Sequence, residues 1–281
     1  MLLLTGSGGF IGRAVMTRAG LRDDAKTVPL ARDDAARAIA EARAAQPAAD
    51  ISLLNLAWPS LKRYAAKSGD PGEDDAEWRE FASWTDGIAR AAAAHHVRFF
   101  QAGSGVEPYA VQEPPALGEP YLTYGRRKDA LWRRIASIPA LQAHRLRIHF
   151  IFGPGEAPGR LVPAAIRASR ARAPFEIGAL ERRRCWLHID DLADGLIEAA
   201  FAPAPENWDI AGPDPLSFAD LIEMIAAAAG GAATPIPPKT APADAACPEV
   251  APENVAPFMR QGPGSLENLQ SRLHDYAASL D

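Results

Sequence analysis

The chain opens on "MLLLTGSGGFIGRAV", in which an apolar run, Leu2 to Leu4, meets Gly6, Gly8, Gly9 and Gly12 and then an amphipathic segment. A strand that enters a helix through such a turn needs its first glycine for the tight reversal and its last for close packing of helix on strand. The middle glycines leave the backbone bare, so a pyrophosphate can approach it. The helix then presents free N–H groups and the positive end of its dipole to that anion. A generic strand–helix turn is the plain alternative. The strand before the glycines and the amphipathic segment after them favour a dinucleotide, held around Gly6, Gly8, Gly9, Phe10, Ile11 and Gly12.

The rest of the chain keeps this alternation. Apolar runs at Leu2–Thr5, Thr27–Leu30, Ile51–Leu56, Arg98–Ala102 and Leu146–Phe152 read as strands. Segments of helical period lie at Ile11–Gly20, Asp34–Ala45, Asp75–His95, Tyr124–Ser137, Leu161–Ala171, Asp190–Ala202 and Ser217–Ala229. Together they predict an α/β fold, a parallel sheet covered by helices. Prolines cluster at 235–257 and forbid regular helix there, leaving a linker or a lobe that caps a site; composition favours the linker. A net charge of −5 gives no basic field for nucleic acid. No apolar run is long enough for a bilayer, and the N-terminus lacks a basic leader, so the expected location is the cytoplasm. Cys185 and Cys247 lie far apart, and no metal site is expected.

The second strand runs into Arg32 and Asp33. An acid here would bond a ribose 2′-hydroxyl; an arginine suits the 2′-phosphate of NADP. The expectation is NADP, with NAD as the alternative if Asp33 binds the ribose and Arg32 is merely solvated.

Tyr124 and Lys128 stand one helical turn apart in "YGRRK" and so share a face. A free phenol ionises only near pH 10, but a neighbouring ammonium favours the phenolate and brings it toward useful acid–base range. Ser104, in "FFQAGSGVEPY" at a predicted strand end, could polarise the same oxygen. Taken singly, each has a plain reading, a surface helix and a turn serine.

"TGSGGFIG" (5–12), Ser104, "YGRRK" (124–128), "RLRIHFIFGPGE" (145–156) and "WLHIDDLADGLIEAAF" (186–201) follow one another as in the extended short-chain dehydrogenases/reductases. Over most of residues 1–230 the chain resembles their NAD-dependent epimerase/dehydratase family. The resemblance implies a Rossmann-like doubly wound sheet over 1–152. It also implies a smaller substrate lobe over 153–281, with returning elements at about 186–212 packing on the core. Ser104, Tyr124 and Lys128 would be the catalytic set, Lys128 also holding the nicotinamide ribose. "NLAW" (55–58) resembles the strand that passes beneath the cofactor, which places Leu56 and Ala57 there. The usual substrate is a nucleoside-diphosphate sugar. Members dimerise through the helices expected at Asp75–His95 and Tyr124–Ser137, and the alanine run at 89–96 suits a homodimer.

Departures from the family narrow the chemistry. Gly105 and Val106 stand where its sugar-nucleotide dehydratases carry an Asp–Glu pair, and neither cysteine stands where its 3,5-epimerising members use one. Phe150 replaces a substrate-contacting asparagine. Arg184 occupies the place of an arginine that contacts the substrate diphosphate, whereas Arg182 and Arg183 are expected to be solvated. "RLVP" resembles the helix start lining the nucleotide pocket, which singles out Arg160 and Leu161. Trp58 and Tyr109 flank the expected cleft and could stack on sugar or nicotinamide, or simply pack. Asp190 and Asp191 read as first-turn acids, His188 as structural support, and Arg126, Arg127, Arg133 and Arg134 as an exposed helix face. Only eighteen residues, Asp33 to Asp50, separate the second strand from the next, so the outer edge strand should be missing. The leading expectation is an NADP-dependent reductase of a 4-keto-6-deoxy sugar nucleotide. Its rivals are a 4-epimerase, a reductase of another carbonyl, and a non-catalytic dinucleotide-binding protein.

Overall fold

A computed structural model describes residues 1–23, 26–59, 75–178, 180–203, 205–212, 214–232, 234–236, 249–259 and 265–280. At its centre β1 (Leu2–Thr5), buried at every position, pairs in parallel with β2 (Thr27–Pro29) on one side and β3 (Ser52–Asn55) on the other. β4 (Arg98–Ser104), β5 (Ala143–Ile148) and β10 (Asn207–Ile210) extend the sheet in the order β10-β5-β4-β3-β1-β2. Both faces are covered, which is why these strands read as unbroken apolar runs. Leu2 and Leu4 point into a core shared with α1 (Phe10–Ala19) and α7 (Ile189–Phe201). Leu3 faces the opposite core, with α2 (Ala35–Ala45), α3 (Ala76–Ala94) and α5 (Tyr121–Ala136).

The strand order reverses beside β1, and in sheets of this kind ligands bind outside the carboxyl ends of the strands at that reversal. Gly6 and Ser104 both lie at that end of the sheet. β2 is the outermost strand, and no strand lies beyond it among the described residues, as the short connection from Asp33 to Asp50 predicts.

The run expected as one strand from Leu146 to Phe152 divides at His149. Its N–H donates to Ile210 O at 3.3 Å, and the chain then leaves the sheet as β6 (Phe150–Phe152) to pair with β9 (Trp186–His188). Beyond it, α6 (Leu161–Ala171), α8 (Phe218–Ala229) and α9 (Leu266–Ser279) enclose a third core around Phe152, Ile166, Leu221 and Leu273. Small pairings complete this part: β7 (Pro174–Glu176) with β12 (Thr234–Ile236), and β8 (Arg183–Arg184) with β11 (Leu216–Ser217) and β13 (Glu249–Val250). The proline-rich stretch is therefore no free linker where it is described: Glu249 and Val250 join a sheet, and the N–H groups of Glu253 and Asn254 donate to Asp209. Residues 237–248, with Cys247, lie outside the described residues. No helix among the described residues is long and apolar enough to cross a membrane.

Candidate active site

The glycine turn is fixed by contact. Gly6 has φ +70°, and a Cβ there would stand 2.7 Å from Ala57 N, because β3 and its exit, Leu56–Ala57, pass directly beneath. A Cβ on Gly12 would overlap Gly6 O. Gly8 meets nothing within 4 Å, and Gly9 gives α1 no side-chain cap. The space at the turn and the uncapped helix start suit the pyrophosphate of a dinucleotide, so the residues present fit that group. Phe10 and Ile11 are half-buried against the core beneath α1.

A cavity of about 260 Å³ leads from this turn along the end of β2, lined by Gly6, Arg32, Ala57, Trp58, Glu77 and Trp84. With no strand beyond β2 among the described residues, α3 supplies the far wall. Trp84 Nε1 donates to Arg32 O at 2.9 Å, and the Arg32 guanidinium stands 5.7 Å from the Trp84 ring centre and 2.9 Å from Glu80 Oε1.

At the other end, α5 carries Tyr124 and Lys128 against β4. Gly125 lets it come close: a Cβ there would lie 2.5 Å from Ala110 Cβ in α4 (Glu107–Val111). Lys128 is buried; its Nζ donates to Ala102 O at 2.7 Å and lies 4.1 Å from the centre of the Trp58 ring and 5.7 Å from that of Tyr124. The Tyr124 and Trp58 rings meet edge to face at 5.6 Å. Burial lowers the Lys128 pKa to about 8, against the opposing field of Glu107. Ser104, also buried, ends β4, and its N–H donates to Glu107 Oε1 at 2.5 Å. Glu107 Oε2 accepts from Arg145 Nη1 at 3.0 Å. Glu107 is absent from the sequence-based set of site residues. Its signal was the spacing Ser104-x-x-Glu107, in which a glutamate reaches back to the N–H three residues earlier at a helix start.

Phe150 sits where two apolar clusters meet. It packs beside Tyr109 and Tyr124 on one flank and 5.4 Å from the Trp186 ring on the other. Arg184 is fully buried, its guanidinium 5.4 Å from the Phe150 ring centre and 5.7 Å from Phe218, with Nη1 donating to Arg183 O at 2.6 Å. It stacks between aromatic faces and presents no open surface to a diphosphate. Arg182 is also buried, 5.1 Å from the Phe218 ring centre, so the expectation of a solvated side chain fails there and holds for exposed Arg183. Arg160 is exposed at the start of α6, 3.3 Å from Glu156 Oε2, with half-buried Leu161 after it. The Tyr109 hydroxyl oxygen accepts from Ala251 N–H at 3.2 Å, which ties α4 to the segment after β13.

Ser104, Tyr124, Lys128 and Trp58 thus share one end of the sheet, continuous with the glycine turn through Ala57. Arg127 departs from the expected exposed helix face. It is buried, pairs with Asp75 at 3.2 Å and lies 5.2 Å from the Trp78 ring centre, joining α5 to the capped start of α3. His188 caps α7, accepting from Asp190 N at 3.3 Å, and Asp191 holds α9 through Arg272 at 2.5 Å and Asn268 at 2.9 Å. Burial pushes the Cys185 thiol up to about 12, which rules it out as a nucleophile near neutrality.

Structural comparison finds the same architecture in nucleotide-sugar enzymes. The UDP-glucuronic acid 4-epimerase of Bacillus cereus, in complex with UDP-glucuronic acid and NAD, superposes with a TM-score of 0.71 at 18% identity over 100% of this chain and 99% of that one. The UDP-glucose 4-epimerase of Thermus thermophilus, in complex with NAD, gives 0.70 at 16% identity over 99% and 98%. The dTDP-glucose 4,6-dehydratase of Bacillus anthracis, in complex with NAD, gives 0.67 at 14% over 99% and 95%. At these identities the likeness is one of fold. No curated protein matches the chain. The family model described as "NAD dependent epimerase/dehydratase family" matches residues 2–211, from β1 to the residue after β10. That span takes in the glycine turn, Ser104, Tyr124 and Lys128, and on it the chain belongs to the NAD-dependent epimerase/dehydratase family of extended short-chain dehydrogenases/reductases.

Proposed function

We propose that the protein is an NADP-dependent reductase of a 4-keto-6-deoxy sugar carried on a nucleoside diphosphate. One observation carries the reading. A phenol and a buried ammonium meet at the end of β4, and the residues after Ser104 there, Gly105 and Val106, bear no acid to expel a hydroxyl. A reduced nicotinamide bound in the cleft supplies hydride. Tyr124 gives its proton to the oxygen of the reduced carbon, and the Lys128 charge, 5.7 Å from the ring centre, stabilises the phenolate left behind. The Ser104 hydroxyl donates to the same oxygen. Trp58, stacked over Lys128 and edge-on to Tyr124, keeps water from the pair. Phe150 and Tyr109 line the sugar side. Arg160, exposed at the start of α6 beside Glu156, would meet the diphosphate, and Arg184 supports Phe150 from beneath. A second copy would pack on the exposed faces of α3 and α5.

The test is loss of NADPH absorbance with a panel of 4-keto-6-deoxy sugar nucleotides. Turnover is expected with at least one of them, falling as the pH rises through about 8, where Lys128 loses its proton. No turnover with any keto-sugar nucleotide by the folded protein removes the reading. The second reading is a 4-epimerase, supported by the activities named for the Bacillus cereus and Thermus thermophilus structures. It expects dinucleotide retained through purification and no net change in its oxidation state.

Arg32 decides the dinucleotide in this proposal. Its pair with Glu80 is exposed, worth at most about 1 kcal/mol, and a 2′-phosphate accepting charge-assisted bonds from the guanidinium displaces it. Arg32→Ala should weaken NADPH binding about tenfold or more and spare NADH, while Glu80→Gln should tighten NADPH. Fluorescence titration of both dinucleotides checks this, and equal losses for the two on Arg32→Ala would favour NAD.

A further inference from the structure

We propose that Glu107 is a positioning residue of this site, holding Ser104 by its backbone and setting a negative charge against the Lys128 ammonium. The inference rests on reading Ser104, Tyr124 and Lys128 as the reacting set. Glu107 is 1% exposed, and both of its oxygens are engaged, Oε1 by Ser104 N–H and Oε2 by Arg145. The fold makes room for it: a Cβ on Gly103 would stand 2.9 Å from Oε1. A buried ammonium needs a counter-charge within the protein. Lys128 has the Ala102 carbonyl below, the Trp58 face above and the Tyr124 ring beside it; none of these is a carboxylate. Glu107 stands at the same strand end, its Oε1 on Ser104 N–H at 2.5 Å where Lys128 Nζ holds Ala102 O at 2.7 Å two residues earlier. Its field opposes the lysine's loss of a proton.

Other charges around Glu107 are cationic or committed elsewhere. Arg145 and Arg147 face it from β5. Arg145 also bonds Asn207 at 2.7 Å and Asp129 at 3.4 Å and lies against Trp132, while Arg147 pairs with Asp209 at 3.0 Å. Burial pushes the Glu107 carboxyl up, and Arg145, Lys128, the Ser104 N–H and Arg147 oppose that rise. A carboxylate needed only for packing would leave the lysine indifferent to its charge.

The lysine itself provides the test. The chain has five lysines, so lysine side-chain carbon resonances can be followed by NMR in the free protein, with Lys128 assigned through Lys128→Arg. Lys128 should titrate near 8, apart from solvated lysines near 10.4. Glu107→Gln keeps an acceptor for Ser104 N–H and removes the charge, and should lower that midpoint by about one unit. Glu107→Asp keeps the charge but shortens its reach, and should lower it by less. A midpoint unmoved in whichever of the two variants folds overturns the proposal. NADPH and NADH titrations of the wild type run alongside. Should the wild type bind neither while Glu107→Gln shifts Lys128, the oxidoreductase reading falls and the hold of Glu107 on Lys128 stands. Binding with an unmoved midpoint removes the Glu107 proposal alone.

Discussion

Tyr124→Phe is expected to lower kcat about a thousandfold, the scale of a positioned acid, while leaving dinucleotide affinity and the melting temperature near wild type. The reason lies in how the ring is held. Tyr124 meets Trp58 through ring faces and edges, and Lys128 keeps its bond to Ala102 O and its place over Trp58 when the hydroxyl is removed. The substitution therefore takes away the phenol hydroxyl and keeps the packing of the ring. Steady-state kinetics, with circular dichroism as the control for fold, separate the two effects. A loss under about tenfold would mean that another group protonates the product oxygen. Lys128→Met would be a blunter probe, since it also removes one of the cations around Glu107, leaving it Arg145 at 3.0 Å.

The largest effect on stability is expected at Asp209, outside the reacting set. Its carboxylate receives Arg147 at 3.0 Å, His149 Nε2 at 3.0 Å, and the N–H groups of Glu253 at 2.9 Å and Asn254 at 2.8 Å. Asp209→Ala takes the buried partner from Arg147 and His149, leaves Arg147 only the exposed Glu253, and frees two part-buried N–H groups; breaking such a network costs about 3–5 kcal/mol. Urea unfolding should register most of a domain's stability lost; a cost below about 1 kcal/mol would show that water or Glu253 replaces the carboxylate. The pH dependence has a definite sign. Burial resists ionisation of Asp209, but the bonds from His149 and Asn254 and the charge of Arg147 outweigh it, and the pKa falls below its ordinary value. Its contribution is thus complete above the ordinary aspartate range, near 3.9, and is lost as the pH drops through the lower folded value.

Periodicity made most of the core legible. The strands before Arg98 and the helix Leu161–Ala171 lie where apolar spacing puts them, because burial on both faces of the sheet leaves little choice of side chain. What escaped was set by partners distant in sequence. β5 and β6 form one apolar run, and only pairing with β10 and then β9 divides it at His149. Arg127 reads as one of several helix arginines, and its burial depends on Asp75 and Trp78 across the sheet face. Arg182 and Arg184 are charged in sequence, yet Phe150 and Phe218 take them as stacking partners. One helix and one residue did carry a local signal. α9 places Leu269, Leu273, Tyr276 and Ala277 on one face behind a capping Ser265, and Glu107 follows Ser104 at capping spacing.

The short outer strand has a consequence for how copies of this chain can meet. β2 is only Thr27–Pro29; Leu30 N–H turns inward to Leu4 O at 2.7 Å, so the nitrogen of Pro29, facing outward, has no hydrogen to give. A sheet margin this brief, with a proline at an outward position, offers a foreign strand little to pair with. Among the described residues, the edge beyond β1 is thus a poor template for an added strand.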